Sequence, residues 1–596
     1  MLGLLPGAGG TQRLPKLVGI QQALTMATTG QNIKPSKAKK MGLVDNVADP
    51  AALRDAALLA VRGLMDGSIK AQPKKKALMN RLLEDNAAGR SILFQQAEKQ
   101  IMKQAGTNYP APMEILRCIR TGVEQGPEAG FREERERFGR LGMTPQSRAL
   151  RGIYHGQTEL KKNPYGAPKH PIQTLAVLGA GLMGSGIAQV SAVQGNARVL
   201  LKDKDNKGLA RGIDQMEKNL MPKVKKRRMT KFEMDRAMSQ ITGLTDESAS
   251  LDAHLRQADG MIEAVFEDLE LKQKIFREME SKLPSHAVLA SNTSAIPIRS
   301  IAEGVKDPSR VIGMHYFSPV DKMPLLEIIP HQGTAPEIVS AAFDLGRRQG
   351  KTVIVVKDVP GFFVNRSLGP YMAETMVLLA EGVDPAKLDK AMKSFGFPVG
   401  PITLADEVGI DVAQHVQTFL ADDLGARMAG AIPEAMQEMA SQGLHGRKSG
   451  KGFFTYATKK QTPLERIQSI VGMGPKQGRQ VNPDARRIMK KYAKSDGRGD
   501  DISVEEIQER MSLRFIKEAM HCLEDGIISS PMHGDMGSIF GIGYPPFRGG
   551  PFMQADIEGA DKLMGKMQSY ADKHGAHFAP PQILQDHAKS GKKFRQ

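Results

Sequence analysis

At 596 residues, with 40% hydrophobic, 25% charged and 5% aromatic residues, the chain is too long for one ordinary core and too balanced for a disordered or fibrous protein; roughly three to five units are expected. No apolar run approaches the roughly 20 residues of a membrane-spanning helix, and two cysteines, Cys118 and Cys522, exclude a disulfide framework and match no metal-ligand spacing. A formal charge of +18 suits anionic partners of any kind: nucleic acid, acidic lipid or a phosphate-bearing small molecule. No readable targeting segment opens the chain.

The first residues begin inside a structure. Leu5-Pro6-Gly7-Ala8-Gly9-Gly10 is a turn into Thr11-Gln12-Arg13-Leu14 with no preceding strand or cap, so residues 1–50 read as the tail of a truncated domain. Residues 51–170 are rich in Ala, Leu, Lys and Glu at helical spacing and read as a helical connector.

From residue 174 the period changes. Thr174-Leu175-Ala176-Val177-Leu178 is a short apolar strand followed by a Gly-rich turn, a helix and the strand Arg198-Val199-Leu200-Leu201, which makes a βαβ unit. Further strands are expected at Ile262 to Phe266, Val288 to Ala290, Val311 to Met314 and Val353 to Val356. Residues 171–358 therefore read as an α/β Rossmann-type domain with a mostly parallel, doubly wound sheet.

After Pro360 the chain turns helical and repeats itself: Glu374 precedes Gly382 as Glu518 precedes Gly526, and Pro401, Asp406, Gly409 and Asp411 match Pro551, Asp556, Gly559 and Asp561 in spacing. Two related all-α domains, 359–456 and 501–596, joined by a charged linker over 457–500, are the economical reading.

Gly179-Ala180-Gly181-Leu182-Met183-Gly184 stands where a dinucleotide pyrophosphate would meet backbone N–H groups at a helix N-terminus. Asp203, at the end of the next strand, is placed to accept hydrogen bonds from ribose hydroxyls, which favours NAD over NADP although Lys202 and Lys204 flank it. Gly446 to Gly452 superficially looks like a phosphate loop, but its glycine spacing is too short and no hydroxyl residue follows Lys451. In open α/β sheets ligands gather at the carboxyl ends of strands, so Glu267, Ser291 to Ser294 and His315 should converge on that turn. The midpoint between His315 and Glu327 is residue 321, inside a turn-like segment, so an antiparallel hairpin sets the two opposite each other. A carboxylate on one ring nitrogen fixes the tautomer and raises the basicity of the other, as a base removing a hydroxyl proton requires.

Four runs carry a family resemblance: Ala290-Ser291-Asn292-Thr293-Ser294, Gly313-Met314-His315-Tyr316-Phe317-Ser318-Pro319, Leu326-Glu327-Ile328-Ile329, and Pro360-Gly361-Phe362-Phe363-Val364-Asn365-Arg366. Together they resemble the 3-hydroxyacyl-CoA dehydrogenases. With the helical repeat and the Leu5 to Leu14 turn, the whole chain is similar to the multifunctional α subunits of the mitochondrial trifunctional type and their bacterial relatives. The resemblance implies NAD-dependent, long-chain 3-hydroxyacyl-CoA oxidation in fatty-acid β-oxidation. In it His315 is the base, Glu327 its partner, and Ser294 and Asn365 are polar groups near the substrate hydroxyl and thioester. Gly179, Gly181, Met183, Gly184, Asp203, Glu267, Lys272 and Ser294 would contact the cofactor, Glu267 and Lys272 toward the nicotinamide and its ribose. Ser318 departs from the Asn of many members and is left out of the site. The basic run Lys223 to Arg228 suits CoA phosphates, a solvated face being the bland alternative. A thiolase β subunit, contact with an anionic membrane and a mitochondrial location, in the matrix or at the inner membrane, are implied on the same ground.

Residues 1–50 resemble the later part of an enoyl-CoA hydratase, or crotonase, domain. Members of that family use two glutamates upstream of the Leu-Pro-Gly-Ala-Gly-Gly turn, and both would precede Met1, so no hydratase activity is expected. The rivals are a non-catalytic scaffold binding CoA esters or a β-oxidation partner subunit, and a nucleic-acid-binding protein, for which the chain lacks a motif and an aromatic platform.

Overall fold

The computed structural model describes residues 2–70, 83–430, 432–456, 480–492 and 498–595. It divides into two compact units, Met1–Tyr154 and His155–Gln596.

The first unit is helical, from Gly10–Val18 to Pro127–Gly142. Its opening turn is tied down by the buried Glu134, which accepts hydrogen bonds from the backbone N–H groups of Gly9 and Thr11 at 2.6 and 3.0 Å and from the Thr11 hydroxyl. A carboxylate at a helix N-terminus satisfies donors that have no partner within the helix. Leu5, Val18 and Leu24 share one apolar cluster with Leu93, Ile115 and Ile119, so the opening tail and the stretch expected to be a connector pack around a common core.

The second unit contains an eight-stranded sheet: β1 (Thr174–Leu178), β2 (Arg198–Lys202), β3 (Ile241–Leu244), β4 (Gly260–Glu263), β5 (Val288–Ser291), β6 (Val311–Tyr316), β7 (Leu325–Pro330) and β8 (Thr352–Val355), in the order β3-β2-β1-β4-β5-β6-β7-β8. All neighbours are parallel except β6 and β7, as expected of a doubly wound sheet with one hairpin. β4 ends at Glu263, not Phe266: Ala264 to Phe266 leave the sheet, and Phe266 is 84% exposed. The strand order reverses between β1 and β4, and the crevice at their carboxyl ends is where such folds bind ligands.

Two helical sets follow. Val364–Ala380, Pro385–Phe395, Pro401–Val408 and Ile410–Leu424 are matched by Val504–Glu524, Pro531–Ile542, Pro551–Glu558 and Ala560–His574. The repeat extends to the hydrogen bonds. Asp389 caps the helix of Ile402 and Thr403 as Asp535 caps that of Phe552 and Met553. Asp406 receives the N–H groups of Phe453 and Phe454, and Asp556 those of Phe594 and Arg595. The long first helices pack on each other through reciprocal buried pairs, Arg510 with Glu374 and Arg366 with Glu518. Within the stretch expected to be a linker, Gln480–Val481 pairs with Phe454–Thr455 and Pro483–Lys491 is a helix; residues 457–479 and 493–497 lie outside the described residues.

Candidate active site

The Gly-rich turn after β1 is shaped by what its glycines leave out. Gly179 has φ 98°, and a Cβ on Gly184 would stand 1.8 Å from the Gly179 carbonyl oxygen, so neither position admits a side chain. A Cβ on Gly181 would meet nothing within 4 Å: there the turn faces open space at the N-terminus of the helix Leu182–Val193. Asp203 closes the other side, accepting hydrogen bonds from the N–H groups of Ala180 at 2.7 Å and Lys204 at 2.9 Å. Lys202 pairs with Asp246, which takes one of the two flanking lysines away from Asp203. A donor-rich turn, an open helix N-terminus and a carboxylate beside them fit the pyrophosphate and ribose of NAD.

His315 and Glu327 face each other across the β6–β7 hairpin. Nδ1 of His315 lies 2.7 Å from Oε2 of Glu327, and both residues are buried. Oε1 of Glu327 accepts the backbone N–H groups of Phe363 and Val364 at 3.2 and 3.1 Å, at the start of the helix Val364–Ala380. Phe362, at φ 51°, turns the chain into that helix, and its ring and that of Phe317 flank the imidazole at 5.6 and 4.5 Å between centroids. With Nδ1 engaged, Nε2 is left for the cavity that His315 lines.

Lys351 anchors the turn of the hairpin. Its ammonium donates to the carbonyl oxygens of Val320 and, at 2.7 Å, Met323, and burial pushes its pKa down to about 8 against the pull of Asp321.

Glu267 accepts hydrogen bonds from the Thr293 hydroxyl at 2.5 Å and from the N–H groups of Ser294 and Ala295 at 2.9 and 3.3 Å; Asn365 Nδ2 donates to the Ser294 carbonyl oxygen at 3.1 Å. Burial disfavours the charged form of Glu267, but the Lys272 ammonium and the hydrogen bonds from Thr293 and Ser294 outweigh it and hold the carboxyl below the usual carboxylate range. Lys272 itself is 1% exposed and chelated by Glu263 at 2.8 and 2.9 Å, with Glu267 at 3.2 Å. It sits beneath the site rather than in its wall.

A cavity of about 590 Å³ opens beside these groups, lined by Met183, Glu267, Ser294, His315 and Asn365 together with apolar side chains of the helical region such as Leu368, Met372 and Met376. Ser318, left out of the sequence reading, also lines it. Glu263, the anchor of Lys272, was missed as well; its place at the carboxyl end of β4 is the signal that could have found it.

Residues 174–359 match the model of the 3-hydroxyacyl-CoA dehydrogenase NAD-binding domain, 361–456 that of the 3-hydroxyacyl-CoA dehydrogenase C-terminal domain, and 1–108 that of enoyl-CoA hydratase/isomerase. A fatty acid oxidation complex subunit alpha from Shewanella amazonensis is 43% identical over 100% of this chain and 80% of its own. The chain belongs to the 3-hydroxyacyl-CoA dehydrogenase family. The same subunit from Shewanella oneidensis is 42% identical over 100% of this chain and 80% of its own. Among solved structures, 3-hydroxybutyryl-CoA dehydrogenase from Escherichia coli is 26% identical with a TM-score of 0.58, covering 70% of this chain and 99% of that one. The dehydrogenase part of multifunctional enzyme 1 from C. elegans, 23% identical over 73% of this chain and 98% of its own with a TM-score of 0.50, shares the fold. These findings make the protein an NAD-dependent oxidoreductase carrying an NAD-binding Rossmann domain, the family's C-terminal helical domain over 361–456 and a crotonase-like region. They also correct one expectation: the curated relatives are bacterial, which overturns the mitochondrial location and the inner-membrane placement that went with it.

Proposed function

We propose that the protein oxidises L-3-hydroxyacyl-CoA to 3-oxoacyl-CoA with His315 as the base. The observation that carries this reading is the buried His315–Glu327 pair, whose imidazole lines a cavity shared with Ser294, Asn365 and Met183 of the dinucleotide motif. Bound NAD would accept the hydride from C3. The chain's own part is to take the hydroxyl proton on His315 Nε2, to stabilise the resulting imidazolium with Glu327, and to orient the substrate oxygens with Ser294 and Asn365. Gly179, Gly181, Gly184 and Asp203 would hold the pyrophosphate and ribose, with Met183 and Glu267 beside the reacting end. Lys272 acts by fixing Glu267.

The acyl chain would run along Leu368, Met372 and Met376, which follow Asn365 at helical spacing. At 1.5 Å per residue, Asn365 to Met376 covers about 16 Å, room for a long chain. The exposed run Lys225 to Arg228 suits CoA phosphates and, secondarily, an anionic membrane surface. The product is a thiolase substrate, so a thiolase β subunit is the partner this reading implies. No hydration is assigned to the crotonase-like region: among the described residues of 1–108 the one buried carboxylate, Glu84, accepts the backbone N–H of Ile20 at the start of a helix.

Formation of NADH from L-3-hydroxyacyl-CoA, with an enoyl-CoA hydration assay alongside, tests the reading. Folded protein that binds acyl-CoA and yields no NADH would point to a scaffold, and hydration would remove the assignment made for the crotonase-like region.

A further inference from the structure

We propose that Gln417 is a substrate-binding residue that reads an amide of the pantetheine arm of the acyl-CoA. The inference rests on the dehydrogenase reading above and goes beyond it by assigning the route of the carrier arm. Gln417 lines the cavity that holds His315 and is 7% exposed. Neither its Oε1 nor its Nε2 has a hydrogen-bond partner among the described residues. A buried amide left unpaired costs stability, and a site that keeps one has a use for it when a ligand arrives.

What Gln417 lacks is one acceptor and one donor together. A secondary amide supplies that pair from a single group, its N–H for Oε1 and its C=O for Nε2. The pantetheine arm carries two secondary amides, whereas an acyl chain carries none. Charged groups fit less well: a phosphate or carboxylate would satisfy Nε2 alone.

The position agrees with the chemistry. Leu420, one turn after Gln417, packs where side chains on Gly361 and Gly369 would stand, beside the start of the helix bearing Asn365. Toward the start of the same helix, Val412, five residues before Gln417, is 45% exposed and His415, two before it, is exposed, and both line the same cavity. From Leu420 to Val412 the cavity wall formed by this helix therefore leads from buried to exposed residues over about 12 Å. An arm whose far end is a charged nucleotide must take a route of this kind, thioester inside and phosphates outside.

The test is Gln417→Leu, close in size and without the amide. Oxidation is measured with three L-3-hydroxyacyl thioesters of the same acyl group: CoA, pantetheine, and ethanethiol, which has no amide. The expected result is a KM raised about tenfold for the CoA and pantetheine thioesters and changed less than twofold for the ethyl thioester. The thermal midpoint of the ligand-free variant should equal or exceed that of the wild type, because the unpaired group is gone. Equal loss with all three thioesters would show a packing role and overturn the proposal, as would an unchanged KM for all three. If Gln417→Leu fails to fold, Gln417→Met serves for the same comparison. A wild type that oxidises no thioester at any concentration sinks the dehydrogenase reading itself, and that outcome is separate from the ratio on which Gln417 depends.

Discussion

Glu327 holds His315 with one carboxylate oxygen, Oε2 at 2.7 Å from Nδ1, while its other oxygen is itself held by the N–H groups of Phe363 and Val364. The imidazole is thus oriented by a group that the next helix orients in turn, and the β-sheet and the helical domain meet in one side chain. General-base catalysis by a positioned side chain contributes about 10²- to 10⁴-fold, so His315→Ala should lower kcat by that order. Glu327→Gln, which keeps the shape and loses the charge, should fall between this variant and the wild type. NADH formation under saturating conditions measures both; a wild-type rate in His315→Ala would remove it from the mechanism.

Asp203 bridges two backbone amides and has lone pairs to spare for a ribose. A hydrogen bond to a charged group contributes about 1.5–3 kcal/mol, so Asp203→Ala should raise the KM for NAD roughly tenfold or more and narrow the preference over NADP. Steady-state kinetics with both dinucleotides decide it; an unchanged ratio would mean that Asp203 shapes only the turn.

The acyl-chain route can be checked from Met376. Replacing it by Phe adds bulk about 16 Å along the helix from Asn365, so the ratio of kcat/KM for a sixteen-carbon to a four-carbon substrate should drop at least tenfold. A ratio that stays constant places the chain elsewhere.

Lys272 lies between Glu263 and Glu267 with almost no contact with water. Removing one partner of a buried ion pair costs about 3–5 kcal/mol. Lys272→Met should therefore lower the thermal midpoint of the NAD-binding domain, residues 174–359, by roughly 6–20 °C, taking about 2–4 °C per kcal/mol for a domain of roughly 150–250 residues. Calorimetry of the full chain would show it; an unmoved midpoint would mean that the two glutamates are neutral.

His577 titrates in the second helical domain, where burial, then Arg514 and Lys517, push its pKa down to about 4. A histidine lowered in the fold binds its proton more readily when unfolded. Its contribution is complete above about pH 6.5 and is lost as pH falls from there toward 4. His577→Gln should lose less thermal stability than the wild type over that window; identical pH profiles would count against this assignment.

Much of the sheet and the facing of His315 and Glu327 could be read from local pattern. Apolar runs of four to six residues, a glycine turn and a hairpin midpoint depend on neighbours close in the chain, and the matched Asp, Gly and Pro positions exposed the helical repeat. β3 escaped notice because Ile241–Leu244 is an edge strand of four residues, three of them not fully buried, so no apolar run marks it. The helix Pro483–Lys491 was hidden in a charged stretch, since it buries only Ala485, Ile488 and Met489.

The amino-acid sequence by itself determined the dinucleotide turn, the acid at the end of the second strand, the register that sets a carboxylate against a histidine, and the doubling of the helical domain. Each is a matter of spacing within a short stretch or of the chain matching itself. Only the tertiary structure decided that Lys272 lies under the site instead of in it, that Glu263 is its anchor, and that Met376 and Gln417 share a cavity with His315. Those relations join residues from nine to more than a hundred positions apart, and they arise from packing, in which burial and the pairing of polar groups are settled by elements that no local period connects.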